Sequence, residues 1–106
     1  MPYFVFHGLD RPGVEEARTR LREAHRAYIR APQPGCRTVA GGPLLDDAGE
    51  RMVGTVLVFE ATDREAVLRF LAADPYASVS LFESTRVHRW HWGLGEPAPA
   101  GVDQRA

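Results

Sequence analysis

Apolar and polar positions along the chain change spacing six times, and each change marks an element. Residues 3–9, YFVFHGL, are rich in aromatic and β-branched side chains and are cut off by Asp10, Pro12 and Gly13, which predicts a strand followed by a turn. From Val14 the apolar positions fall three and four apart, at Ala17, Leu21, Ala24 and Tyr28, with Glu15 and Glu16 in the first turn. This is the period of an amphipathic helix whose acidic start complements the helix dipole. The helix is expected to end at APQPG. Residues 36–44, CRTVAGGPL, predict a short strand in which Gly41, Gly42 and Pro43 interrupt regular pairing. After the turn cluster LDDAGE, the run Met52 to Glu60 is the most strand-like in the chain, and the two strands are expected to form a hairpin.

Thr62, with Glu65 three residues on, has the spacing of a capping box, and Ala66, Val67, Phe70 and Leu71 form the apolar face of a second helix. That helix should stop at ADPY, because proline disfavours helical backbone in the residue before it. A last strand is expected over residues 84–92, STRVHRWHW. The order β-α-β-β-α-β predicts an α+β, ferredoxin-like sandwich: an antiparallel four-stranded sheet carrying two helices on one face. Residues 1–94 read as one domain. The remainder, 95–106, is rich in Pro, Gly and Ala and is expected to be a disordered tail.

Both alternating sets of the third strand are apolar, with Val53, Leu57 and Phe59 against Met52, Val56 and Val58, and Phe4 and Phe6 oppose Tyr3 and Val5 in the first. Helices can cover only one face, so a second copy of the sheet is the simplest cover for the other, and a homodimer is expected.

Composition narrows the chemistry. The 106 residues carry a formal net charge of −1 with 44% hydrophobic and 25% charged residues, which offers no basic excess for nucleic acid. All 13 basic residues counted as Lys plus Arg are arginine, which removes Schiff-base chemistry and lysine-dependent phosphate loops. Cys36 stands alone, so neither an internal disulfide nor a four-cysteine zinc site is possible. With no secretory signal pattern and no run near the roughly 18 apolar residues of a membrane span, a soluble cytoplasmic protein without membrane contact is expected.

His25 flanks the apolar stripe of the first helix, four residues after Leu21. It is open to two readings: a boundary histidine bonded to a backbone carbonyl, or a ring turned into the seam beside the helix. Asp74 is the partner to test, since a carboxylate there would fix the imidazole tautomer and raise its basicity; an Asp-Pro turn starter is the plainer reading. Arg22, one turn before His25, could hold a carboxylate or phenolate or stand solvated, and Gly41, Gly42 and Pro43 could form a pocket wall or a plain hairpin end. His88 and His91 are three apart on a strand and so face opposite ways, which argues against a shared metal. His7 could reach a pocket from the end of the first strand, Trp90 and Trp92 should share a strand face, and Cys36 reads as a small buried residue.

The stretches YFVFHGLD, REAHRAYI, AGGPLLDDAGE, MVGTVLVFEATDREAVLRFLAADPY and LFESTRVHRWHW together resemble the YCII-related (YciI-like) family over residues 2–92. The most specific pieces are the Arg-x-x-His of the first helix, the Gly-Gly-Pro of the second strand and the Asp-Pro-Tyr after the second helix. The resemblance implies a dimeric α/β barrel and a His-Asp dyad, which falls on His25 and Asp74, with Arg22, Gly42, Pro43 and Tyr76 on the substrate side. It implies no metal and no cofactor. The activity implied is that of a small-molecule enzyme abstracting a proton from a small cyclic oxygenated substrate, as in a dehydrochlorinase of a chlorinated hydroxyhydroquinone or in the similarly folded muconolactone isomerases. A non-catalytic binding or regulatory module with the same pocket, and a cofactor-free monooxygenase on the shared fold, are the alternatives. Where many relatives carry an acidic, glycine-containing turn after the first helix, this chain has APQPGC, a departure that bears on pocket shape.

Overall fold

In the computed structural model, which describes residues 1–95, the chain runs β1 (Tyr3–Asp10), α1 (Glu15–Arg30), β2 (Cys36–Leu45), β3 (Met52–Ala61), α2 (Arg64–Ala72), a short 3-10 helix (Pro75–Val79) and β4 (Phe82–Trp90). The four strands form one antiparallel sheet in the order β2-β3-β1-β4, as expected of a ferredoxin-like fold. Residues 96–106, on which nearly all of the expected tail falls, lie outside the described residues.

Both helices lie against one face. Phe4 and Phe6 of β1, Leu57 and Phe59 of β3, and Val67 and Phe70 of α2 form a single buried cluster, with Tyr28 and Ile29 of α1 packed on its edge. Each such side chain withdrawn from water contributes roughly 1.5–3 kcal/mol, so this face carries most of the apolar driving force. A second cluster, Val14, Tyr76 and Leu81, ties the start of α1 to the 3-10 helix.

The structure revises several local expectations. The inward stripe of α1 runs through Arg18, Leu21 and His25 rather than through Ala24, which is exposed; the residues of the helix that are buried are Arg18 and His25, two turns apart. Helix α2 is capped by Asp63, whose carboxylate accepts from Ala66 N–H at 2.8 Å, and not by Thr62. Thr62 is tied to the Gly35 carbonyl through its own N–H at 2.9 Å, and the extended Asp63 takes the cap position, one residue later than expected.

Strand β2 runs through its Gly-Gly-Pro segment with Gly41 opposite Leu57, Gly42 opposite Val56 and Pro43 opposite Thr55. An edge strand tolerates proline where its nitrogen faces away from the ladder, and the irregularities fall on either side of the segment, between Thr38 and Ala40 and between Leu44 and Leu45. Strand β4 starts and ends two residues before the expected range, because Tyr3 opens β1 opposite Trp90 and leaves nothing for His91 and Trp92 to pair with. Trp92 therefore lies beyond the strand, with its ring packed at 4.5 Å on Trp90 and 6.0 Å on Tyr3.

Candidate functional site

The site begins where α2 ends. Asp74 precedes Pro75, which holds it extended at φ −65° and ψ 137°, and its side chain turns back to accept the Tyr76 N–H at 2.9 Å as the cap of the 3-10 helix. The same carboxylate meets His25: Nδ1 lies 2.9 Å from Oδ1 and 2.8 Å from Oδ2, and both side chains are buried. An ionised carboxylate only accepts, so Nδ1 carries the proton, and in the neutral ring the lone pair resides on Nε2. The imidazole also stacks on the Tyr76 ring, with centroids 4.0 Å apart and planes 13° from parallel. Position, tilt and tautomer of His25 are thus all held by the segment Asp74–Tyr76.

His25 borders a cleft of about 200 Å³ between α1 and the β2–β3 hairpin. Arg22, Arg26, Ile29 and Arg30 line it from the helix, Gly41, Gly42 and Pro43 from β2, and Met52, Thr55 and Leu57 from β3, with Tyr76 and Arg18 completing it. Gly41 is required by close approach: a Cβ there would stand 2.6 Å from a Leu57 methyl and 2.9 Å from the Val56 carbonyl oxygen. At Gly42 a Cβ would meet nothing within 4 Å.

Arg18 is buried, and its guanidinium binds Asp10 through both carboxylate oxygens, at 2.7 and 2.8 Å, and Thr55 Oγ1 at 3.0 Å. Its Cζ lies 5.0 Å from the centre of the Tyr76 ring. Burial opposes the Arg18 charge, but the Asp10 carboxylate more than offsets this and holds its pKa above the usual arginine value. Burial also pushes the Tyr76 phenol up, against the lowering effect of the Arg18 charge. Tyr28 joins the helices by donating to the Phe70 carbonyl at 2.7 Å, and its phenol is raised by burial and by the Asp74 charge.

Of the residues singled out from the sequence, His25 and Asp74 are in contact, and Arg22, Gly42, Pro43 and Tyr76 border the same cleft. His7 is not part of it: alternation along β1 buries Phe6 toward the helices and leaves His7 exposed on the opposite face. His88 is exposed opposite Val5, while His91 lies beyond β4, and no cluster of metal-ligating side chains occurs among the described residues. Arg18, Asp10 and Thr55 were not visible as a set. The available signal was the recurrence of arginine at 18, 22, 26 and 30, one helical turn apart.

The profile of the YCII-related domain matches residues 1–91. Among solved structures, the 5-chloro-2-hydroxyhydroquinone dehydrochlorinase TftG of Burkholderia phenoliruptrix, in complex with 2,5-dihydroxybenzoquinone, is 31% identical, with 84% of this chain and 93% of that one covered and a TM-score of 0.75. The cofactor-independent oxygenase SnoaB of Streptomyces nogalater shares the fold at 20% identity and a TM-score of 0.52, over 91% of this chain and 96% of that one. The NE2512 protein of Nitrosomonas europaea, of unknown function, does so at 20% identity and 0.56, over 94% and 96%. No functionally curated protein matches. No helix among the described residues is long and apolar enough to cross a membrane.

Proposed function

Taking as premise that the chain belongs to the YCII-related family, we propose that it is a small-molecule enzyme in which His25 is the general base. The observation that carries this reading is the buried contact of His25 Nδ1 with both Asp74 oxygens, which leaves Nε2 as the ring nitrogen available to the cleft. Nε2 takes a proton from a carbon acid or a phenolic hydroxyl, while the Asp74 charge compensates the imidazolium that forms. From a carbon acid the electron pair left on carbon either expels a leaving group such as chloride, forming a double bond, or takes a proton back from His25 at another ring position; from a phenol the pair left on oxygen forms the C=O bond while a ring carbon takes the proton back from His25. The first course is an elimination and the second an isomerisation.

Arg22, one turn before His25 on the same helix, makes no ion pair among the described residues and supplies the positive charge that stabilises the oxyanion. The cleft volume fits a single substituted ring, since a cavity of roughly 150 Å³ holds benzene. Similarity to a dehydrochlorinase at 31% identity supports a cyclic, oxygenated substrate.

The test is turnover of hydroxylated quinols and lactones by the wild type and by His25→Ala and His25→Gln. Loss of turnover in both, with ligand binding retained in His25→Gln, supports the base; undiminished turnover overturns it. A protein that binds these compounds but turns none over is the binding module instead.

The active form is proposed to be a homodimer joined through the sheet face opposite the helices. Tyr3, Val5, Val56 and Val58 lie half-buried there, with Leu9 and Trp90 exposed beside them. Sedimentation of the wild type and of Val58→Glu checks this: a dimer that the substitution dissociates is expected, and a wild-type monomer refutes it.

A further inference from the structure

The cleft holds more positive charge than a proton-abstracting dyad requires. Arg22, Arg26 and Arg30 all border it, and no Asp or Glu does so among the described residues. Two buried carboxylates that touch cleft-lining side chains are already committed, Asp10 to Arg18 and Asp74 to His25. Arg22 and Arg30 make no ion pair among the described residues, and Arg26 reaches only the exposed Glu23 at 3.7 Å, a pair of little strength.

The helix dipole explains a basic residue in the last turn of α1, where Arg30 lies. It does not explain Arg22 at mid-helix, nor why three successive turns present arginine to one cavity while Arg20 of the same helix does not line it. In water-facing positions such a row of like charges is mutually repulsive. It is relieved by a ligand that brings anionic groups into the cleft.

The geometry points to a second, anion-binding subsite in the cleft, made by Arg26 and Arg30, that receives a carboxylate of the substrate. The substrate class is then a small ring acid: one oxygenated carbon faces His25, and a carboxylate at the other end of the ring faces Arg26 and Arg30. A rise of about 1.5 Å per residue sets Arg30 roughly 7.5 Å along the axis from His25, which a single ring with groups at opposite ends can bridge. Planar guanidinium forks suit a planar carboxylate. Ile29, on the same wall between these arginines, offers apolar contact to the ring. The inference rests on the reading above only for which end of the ring meets His25; the anion site stands or falls on the arginines.

The test compares binding of para-hydroxybenzoate with that of para-cresol, its neutral counterpart of similar shape, by calorimetry at low and moderate salt. The wild type is expected to favour the carboxylate by roughly tenfold or more, with the preference shrinking as salt rises. In Arg26→Gln/Arg30→Gln the preference should fall below about threefold, while Arg20→Gln, on the same helix but outside the cleft, should keep it. Equal binding of the two probes, a preference that survives the double substitution, or no measurable binding of para-hydroxybenzoate overturns the proposal. His25→Ala should retain the preference while losing any turnover, so a failure of the dyad reading and a failure of the subsite give different results.

Discussion

His25 and Asp74, forty-nine residues apart in sequence, meet through Nδ1 and both carboxylate oxygens at 2.9 and 2.8 Å. The carboxylate does two things at once, since Oδ1 also accepts the Tyr76 N–H that starts the 3-10 helix. Removing its charge and removing its acceptor are therefore separable changes.

Asp74→Asn keeps an acceptor for Tyr76 N–H but no longer compensates an imidazolium. Turnover is expected to fall by about 10²-fold or more with the fold intact. Asp74→Ala removes the cap and leaves the buried Nδ1 donor without a partner, so it should in addition lower stability by about 1–3 kcal/mol. Chemical denaturation of both variants beside steady-state kinetics checks the separation.

Arg18 and Asp10 form a buried, two-pronged ion pair beneath Tyr76. Arg18→Met strands the Asp10 carboxylate and the Thr55 hydroxyl, with an expected loss of about 3–5 kcal/mol. Pairing it with Asp10→Asn removes the orphaned charge, so the double variant should recover part of that loss. A double-mutant cycle with strictly additive effects would show that the pair is not coupled.

Two adjacent glycines should respond oppositely to the same change. Gly41→Ala forces a methyl group against Leu57 and the Val56 backbone and should cost about 1–3 kcal/mol. Gly42→Ala projects into open space and should leave the denaturation midpoint nearly unchanged. Similar midpoints for the two variants would contradict the close approach of β2 to β3.

Burial pushes the Cys36 thiol up to about 11 from an ordinary value of 9.0. Between these values the unfolded chain releases the proton while the fold retains it, so stability is complete below pH 9.0 and declines as pH rises toward 11. The raised phenols of Tyr28 and Tyr76 act in the same direction. Denaturation midpoints should fall between about pH 8 and about pH 10.5, and less steeply in Cys36→Ala. Thiol reagents at neutral pH should label Cys36 only in the unfolded protein.

The order of elements, the antiparallel ferredoxin-like sheet and the apolar nature of both sheet faces were legible in the sequence, because they follow from local periodicity and turn chemistry. Elements whose ends depend on a neighbour were not. The cap at Asp63 depends on Thr62 being tied to Gly35, and the end of β4 depends on where β1 begins. The inward face of α1 was legible at Val14, Ala17, Leu21 and Tyr28 but not at Ala24, which is exposed, for a related reason: Arg18 and His25 turn inward to pair with Asp10 and Asp74.

Sequence alone could name His25 and Asp74 as a pair worth testing, and Arg22, Gly42, Pro43 and Tyr76 as their surroundings. Only the tertiary structure set the ring of His25 against both Asp74 oxygens and on the face of Tyr76, and only it closed β2 and β3 over Arg22, Arg26 and Arg30 to make a cleft that no carboxylate lines among the described residues. The physical reason is one of range. A helix or strand is written in spacings of two to four residues, but the charge balance of a cavity is a sum over segments that meet only when the chain has packed.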